Sequence, residues 1–495
     1  LSLPKKEKIM SRYGAYEAVI GLEIHAQLIT ESKAFSSDRN QYGSRPNTHL
    51  SPVTLGHPGT LPVVNKEHIR KAVKMGLATD CQIHRKTHYA RKNYFYADLP
   101  KGYQISQDQT PICTNGHLII HDPEGNEKRV GIIRIHMEED SGKSIHDLDP
   151  FASLVDLNRA GVPLIEIVSA PELRYPEEAY EYITEMRKIV RYLEICDGNM
   201  EEGSLRCDAN VSVRPVGQET FGTKVEVKNM NSMSNVRRAL EHEIERQIEI
   251  VSQGGQVEPD TRGYDAPSGT TFTMRSKEMA NDYRYFPEPD LPPLALTDAF
   301  IEGVRAELPE LPYTRRRKFV EQLGLNEYDA SLLSYERRFA DYFEAILEHI
   351  DKPKAAANWM NGPIRSYLND QAIDIRNFPV PAQHIAEVIK MIEADQLNFS
   401  AAQQKLFPQM LESPEAQPSD LAREYNLLQT SDADYLMSLI RETLEKYPDK
   451  VEAYRKGKKN LIGMFMGEVM RESKGKADPK KTKQMLQEAL EEESV

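Results

Sequence analysis

The chain has 495 residues, more than one hydrophobic core usually holds, and 39% hydrophobic with 28% charged residues is the composition of an ordinary globular protein. A net charge of −13 argues against a protein coated in basic surface, though it leaves room for local basic patches on nucleic acid. No apolar run is long enough to span a bilayer, the first residues carry no leader-type apolar stretch, and the four cysteines form no close pair; this predicts a cytoplasmic protein in a reducing setting, with no membrane.

The first patterned stretch is V-I-G-L-E-I-H-A-Q at 19–27. Leu22, Ile24, Ala26 and Leu28 fall on one side of a strand, and Glu23, His25 and Gln27 on the other. Residues 35–62, rich in Ser, Asn, Pro and Gly, read as loop, and 66–78 as helix. Aromatic and basic residues mix in R-K-N-Y-F-Y at 91–96 and P-K-G-Y-Q-I-S at 100–106. Such rings either stack on a base or pack on a core. Strand alternation returns at 130–140, with Ile133, Ile135 and Met137 on one face and Arg134, His136, Glu138 and Asp140 on the other. In P-L-I-E-I-V at 163–168, Glu166 sits among apolar residues, so its carboxylate is neutral, paired or metal-bound.

A helix is predicted over 176–195, opened by Pro176. Alternation from Leu205 to Val213 puts Ser204, Arg206, Asp208, Asn210, Ser212 and Arg214 on one face. K-V-E-V-K-N at 224–229 does the same for Lys224, Glu226 and Lys228, and a long amphipathic helix follows at 235–251. The expected fold is α+β: a cradle built on a mostly antiparallel sheet with flanking helices, then all-α helical and tail parts. The proline-rich 283–293 is read as a stiff connection ending the first domain (1–293). A helical domain (294–408) follows, with helices at 298–307, 315–323, 331–350, 353–369 and 383–395. A second break at 407–420 precedes a helical tail (409–495). Its basic clusters, R-K-G-K-K at 455–459 and S-K-G-K-A-D-P-K-K-T-K at 473–483, suit an RNA backbone or a solvated helix end.

The strands share one apolar face and one face dense in mixed charge, which suits either the solvated side of an antiparallel sheet or, given the mixed charges strand after strand, a cradle for a phosphorylated ligand and its cation. Neither a G-x-x-x-x-G-K-[ST] loop, a G-x-G-x-x-G turn nor a G-x-S-x-G elbow is present. With V-I-G-L-E-I-H at 19–25, R-K-N-Y-F-Y-x-D-L-P-K-G-Y-Q-I-S at 91–106, H-M-E-E-D-x-G-K-S at 136–144, L-V-D-L-N-R-x-G-x-P-L-I-E-I-V at 154–168, M-E-E-G-S-L-R-C-D-A-N at 200–210, D-Y-R-Y-F-P-E-P-D-L at 282–291 and G-K-K-N-L-I-G-M-F-M-G at 457–467, the chain resembles the B subunits of the aspartyl/glutamyl-tRNA amidotransferases.

That resemblance implies ATP-dependent phosphorylation of the side-chain carboxylate of Glu-tRNA(Gln) or Asp-tRNA(Asn), then amidation by ammonia. It implies Mg2+ at Glu23, His25, Glu138 and Glu166, which would be both the metal-binding and the catalytic set. Arg206, Lys224 and Lys228 are candidates for phosphate contact, and Glu202 and Asp208 for a further cation. The partners implied are a glutaminase of the amidase family (the A subunit of such complexes), the small C subunit, and tRNA, the last on Lys456, Lys458, Lys459, Lys474 and Lys476. Many relatives carry two cysteine pairs for zinc; the matching positions here are Ser36, Asp38, Ser51 and Thr54, so no zinc is expected and hydrogen bonds and packing must hold that loop. Two other readings compete: a non-catalytic RNA adaptor, which has no need of the acidic set, and a small-molecule carboxylate ligase, which has no need of the lysine-rich tail.

Overall fold

The computed structural model describes residues 12–146, 148–276, 283–428, 433–473 and 477–491. Contacts divide the chain into two compact units, Leu1–Thr314 and Arg315–Val495.

Among the described residues of the first unit, twelve strands form one sheet: β1 Tyr16–Gln27, β2 Gln82–Ile83, β3 Ala90–Asn93, β4 Tyr103–Ser106, β5 Cys113–His121, β6 Glu127–Glu139, β7 Pro163–Ser169, β8 Leu205–Pro215, β9 Val225–Lys228, β10 Asp260–Asp265, β11 Thr270–Ser276 and β12 Phe286–Pro287. The order across the sheet is β11-β10-β9-β8-β1-β7-β6-β4-β3-β12, with β5 also on β6 and β2 on β5. Every pairing is antiparallel except β9 with β10. The alternation seen in the sequence therefore becomes two faces of one sheet.

The apolar face is covered by α1 Lys66–Ala78, α2 Pro176–Tyr192 and α3 Met233–Ser252. Each helix starts where its residues dictate. The Asn65 side chain accepts from the Glu67 amide and Ser232 from the Asn235 amide, while Pro176 occupies the first turn of α2 and Glu178 reaches back to the Arg174 and Tyr175 amides. Ile183, Met186 and Val190 of α2 and Val236, Leu240 and Ile244 of α3 join Ile24, Ile135, Ile165 and Val211 of the sheet in one core.

Three expectations need correction. Ile133 is not in the core. The ladder slips at Val168/Ser169, and Asn115 opposite adopts a positive φ of 57°. This bulge places Ile132 inside and leaves Ile133 45% exposed on the polar side. Residues 283–293 are no free connection, because Phe286 and Pro287 pair with Arg91 and Ala90, and Arg91 holds the buried Glu288 with two bonds of 2.7 and 2.8 Å. A proline is tolerated there because β12 is an edge strand. The helix Asp298–Ala306 contributes Ile301 and Val304 to the sheet's own core, so the first unit extends beyond 293.

The second unit is helical among its described residues. One cluster packs Phe319, Phe343, Trp359, Ile385 and Phe407; a separate one packs Leu436, Ile440, Phe465, Val469 and Leu486. These clusters favour a division into a helical part and a tail, with the change between Ala422 and Leu436. The expected break at 407–420 contains helices Phe407–Glu412 and Pro418–Glu424: Phe407–Glu412 continues directly from a π-turn at Ala402–Leu406, just ahead of Pro408, and Pro418 lies in a first turn, where no backbone donor is lost. The span 353–369 is helical as predicted, but with a π-turn at Met360–Ile364 around Pro363.

Candidate cation and phosphate site

The polar face of the sheet is a continuous array because antiparallel register lines the strands up row by row. His25 lies across from Glu166 on one side and Arg206 on the other; Glu166 lies across from His136, and Glu23 from Asp208. Farther out, Glu138 pairs with Ser106, and Gln104 with Lys92. Over this face opens a cavity of about 850 Å³, whose lining includes Glu23, His25, Glu138, Glu166, Tyr94 and Tyr283.

Ligand atoms of His25, Glu138 and Glu166 lie within 4.8 Å of one another. His25 Nε2 is 3.0 Å from Glu166 Oε2, and His136 Nε2 is 3.3 Å from Glu138 Oε1 and 3.9 Å from Glu166. Ser106 Oγ and Gln104 Nε2 donate to Glu138 at 2.7 and 3.1 Å, which fixes the carboxylate in the buried wall. Burial pushes both carboxyls up. For Glu138 the His136 bond and the Lys92 charge overcome it, and for Glu166 the His25 bond does, so both stay below the usual carboxylate range. Burial likewise pulls the His25 imidazole down, but the bond and charge of Glu166 carry it above its ordinary value.

The residues predicted from sequence separate into those brought to this trio and those left outside. Glu23 lines the cavity but lies outside the trio, where its carboxylate accepts from Asn210 Nδ2 at 2.8 Å. Asp208 and Lys228 also line the cavity and pair with each other. Burial lowers the Lys228 ammonium, and Asp208 and Glu226 more than reverse this, holding it charged. Arg206 is drawn instead to Asp140, 2.7 Å away, which Gln27 also contacts at 2.6 Å. Lys224 precedes β9 and lines a neighbouring hollow. Glu202 stands exposed in the tight turn before β8, its amide on Asn199 Oδ1 at 3.2 Å, and does not join Asp208 around a cation.

Sequence reasoning did not select His136, Arg134, Lys92, Gln104 or Tyr285 for the site. His136 and Arg134 were detectable, since they share the Glu138 strand face. Tyr283 and Tyr285 were not, because some 140 residues and the β12 pairing separate them from Glu138 in the sequence. Lys92 sits 5.2 Å from the Tyr283 ring centroid and Arg91 4.1 Å from that of Tyr103, so these aromatics serve both packing and cavity wall.

Away from the cavity, Ser36, Asp38, Ser51 and Thr54 converge. Asp38 Oδ2 accepts from Ser36 Oγ at 3.0 Å, the Ser51 amide at 3.0 Å, Ser51 Oγ at 2.8 Å and the Thr54 hydroxyl. All four cysteines are buried elsewhere in the first unit's core. In the tail, Lys456 ends a helix and pairs with Glu452, Lys458 begins the next turn, and Lys459 lies 4.2 Å over the Tyr454 ring. Lys474 and Lys476 lie outside the described residues. No helix among the described residues is long and apolar enough to cross a membrane.

A sheet face that gathers carboxylates, imidazoles and lysines around an open cavity, with its carboxylates fixed by neighbouring hydrogen bonds, has the character of a candidate binding cradle. The family described as GatB/GatE catalytic domain matches residues 18–302, and the one described as GatB domain matches residues 341–490. The chain is 49% identical to the B subunit of aspartyl/glutamyl-tRNA(Asn/Gln) amidotransferase from Solidesulfovibrio magneticus over 475 residues, covering 96% of this chain and 99% of that one. It is 50% identical to the protein of that name from Thermosynechococcus vestitus over 484 residues, 96% of each chain. The protein of that name from Halorhodospira halophila is 49% identical over 477 residues, 96% of this chain and 99% of that one. The chain belongs to this family of tRNA-dependent amidotransferase B subunits.

Proposed function

We propose that the cradle of this amidotransferase component uses ATP and Mg2+ to phosphorylate the side-chain carboxylate of Glu-tRNA(Gln) or Asp-tRNA(Asn), and then exchanges phosphate for ammonia. The observation that carries this reading is the convergence of His25, Glu138 and Glu166 in a wide polar cavity. Two carboxylates held ionised beside an imidazole suit a hard divalent cation. Bound there, Mg2+ would screen phosphate charge and orient its oxygens. Glu23, on the same strand as His25, borders the path to this cluster.

A free carboxylate has no adequate leaving group. Its oxygen attacks the γ-phosphorus and ADP departs, leaving an acyl phosphate. Ammonia adds to that carbonyl, inorganic phosphate leaves as the C–O bond breaks, and a proton is lost, giving the amide. Lys228 and Lys92 face the cavity as positive charge for the phosphates, and Tyr94, Tyr283 and Tyr285 limit its access to water. An amidase-family glutaminase, the A subunit, supplies the ammonia from glutamine. The small C subunit braces the pair, and the lysine-rich tail holds tRNA in the cytoplasm. The Ser36–Asp38–Ser51–Thr54 knot stands without zinc, because one carboxylate and three hydroxyls are a poor substitute for thiolates.

The test reconstitutes the chain with these two partners, γ-labelled ATP, Glu-tRNA(Gln) and ammonium, so that glutaminase activity is bypassed. Glu138→Gln and Glu166→Gln should bind tRNA normally and lose ATP cleavage and amide formation together, by about a hundredfold or more. Native rates of Gln-tRNA formation in both variants would show that these carboxylates are structural.

A further inference from the structure

Glu138 is held in the cluster by donors from two strands. Alternation puts Gln104 and Ser106 on one face of β4, and His136 and Glu138 on one face of β6, and the register sets Ser106 across from Glu138. Ser106 Oγ donates to Glu138 Oε1 at 2.7 Å, and His136 Nε2 lies 3.3 Å from the same oxygen. Gln104 Nε2 donates to Oε2 at 3.1 Å. An ionised carboxylate offers about four lone-pair positions. These bonds take two on Oε1 and one on Oε2, which leaves Glu138 a single position to offer a cation.

The donors are themselves fixed. Gln104 gives a second N–H to the Glu139 carbonyl at 2.7 Å, and its Oε1 accepts from the Tyr94 hydroxyl at 3.5 Å, which sets the amide with its nitrogen toward Glu138. The Asp108 amide donates to Ser106 Oγ at 3.2 Å, leaving the hydroxyl proton for Glu138. His136 Nδ1 is buried without a partner among the described residues, so the ring acts through Nε2, which also lies 3.9 Å from Glu166. Ser106 and His136 are shut off from solvent, and a donor turned away from Glu138 would be left unpaired in a dry wall.

Divalent cations differ in how they use a carboxylate. Mg2+ takes about six ligands in a strict octahedron, binds through one or two carboxylates and keeps several waters, whereas Ca2+ takes about six to eight oxygens and accepts carboxylates that grip with both. A two-oxygen grip by Glu138 would break either the Ser106 or the His136 bond. We propose that Ser106, Gln104 and His136 are positioning residues that restrict Glu138 to one oxygen and so select Mg2+ over Ca2+ at the His25–Glu138–Glu166 cluster. This selectivity rests on the cation reading given above.

The full-length chain is dialysed to equilibrium against Mn2+, and Mg2+ or Ca2+ is added until half of the bound Mn2+ is displaced. The native protein should need more Ca2+ than Mg2+. In Ser106→Ala, and in Gln104→Met with its side chain of similar length, the ratio of those two concentrations should fall by about tenfold, the effect of freeing a metal ligand from a supporting bond. A variant that merely folds less well loses both cations together and keeps the native ratio. Should a variant take up no Mn2+, labelled Ca2+ replaces it in the dialysis: uptake at or above the native level is expected, and its loss would overturn the proposal. If Ca2+ displaces Mn2+ from the native chain as readily as Mg2+ does, or if the ratio is the same in native and variant proteins, these residues do not set selectivity, while the cation site stands. If the native chain binds no Mn2+, the cation reading falls and this proposal falls with it.

Discussion

Asp38 shows how one side chain organises a loop. Its carboxylate oxygen collects the Ser36, Ser51 and Thr54 hydroxyls and the Ser51 amide, and these bonds outweigh burial to hold its carboxyl below the usual range. The Asp38→Asn variant loses the charge that makes these bonds strong and should cost about 1–3 kcal/mol of local stability. Hydrogen exchange at Ser51 and Thr54 would measure it. Because the folded pKa is depressed, the contribution is present above the unfolded carboxylate value of about 3.9 and disappears as pH falls through the folded value. The variant should lack that acid-sensitive step; equal acid sensitivity in both proteins would contradict the assignment. The absence of thiols here was readable residue by residue. Glu202 was misread for the opposite reason: nearness to Asp208 in sequence says nothing about a tight turn that leaves one side chain in solvent and the other in the cavity.

Among the elements, α1 carries a second titratable device. His68 is fully buried beneath the sheet, Nε2 on the Leu164 carbonyl at 2.9 Å, and burial pushes its imidazole down to about 4. The unfolded chain takes up this proton near pH 6.5 and the folded one only near 4, so stability falls as pH falls across that window, by about 3 kcal/mol. His68→Gln can still donate to Leu164 but cannot titrate. Its urea-unfolding stability should fall less steeply between pH 6.5 and 4, and a slope equal to the native one would sink the idea. The existence of α1, α2 and α3 was legible because apolar spacing and caps agree in the sequence. The bulge at Ile133 was not, since it depends on Asn115 and Val168 in other strands, and strict alternation assigns Ile133 to the wrong face.

For the molecule as a whole, function follows from segregation: one sheet puts its apolar residues under three helices and its charged residues over a cavity. Glu166 was legible because it interrupts an apolar strand, and Glu23, His25 and Glu138 because strand alternation puts them on a polar face. Which of them meet was not legible, because that is set by strand order. β7 inserts between β1 and β6, bringing Glu166 between His25 and His136 while leaving Glu23 beside Asn210. The aromatic wall from Tyr283 and Tyr285 was hidden for a like reason, since prolines read as a connection proved to be an edge strand. The chemistry proposed for the cradle turns on whether the His25–Glu138–Glu166 trio holds a divalent cation. Mn2+ titration followed by electron paramagnetic resonance on the full-length chain answers this, comparing native protein with Glu138→Gln, Glu166→Gln and, as a control, Glu202→Gln. A bound Mn2+ is expected in the native and Glu202→Gln proteins and should be lost in the other two; unchanged binding in Glu138→Gln and Glu166→Gln would contradict the assignment of the trio as a cation site.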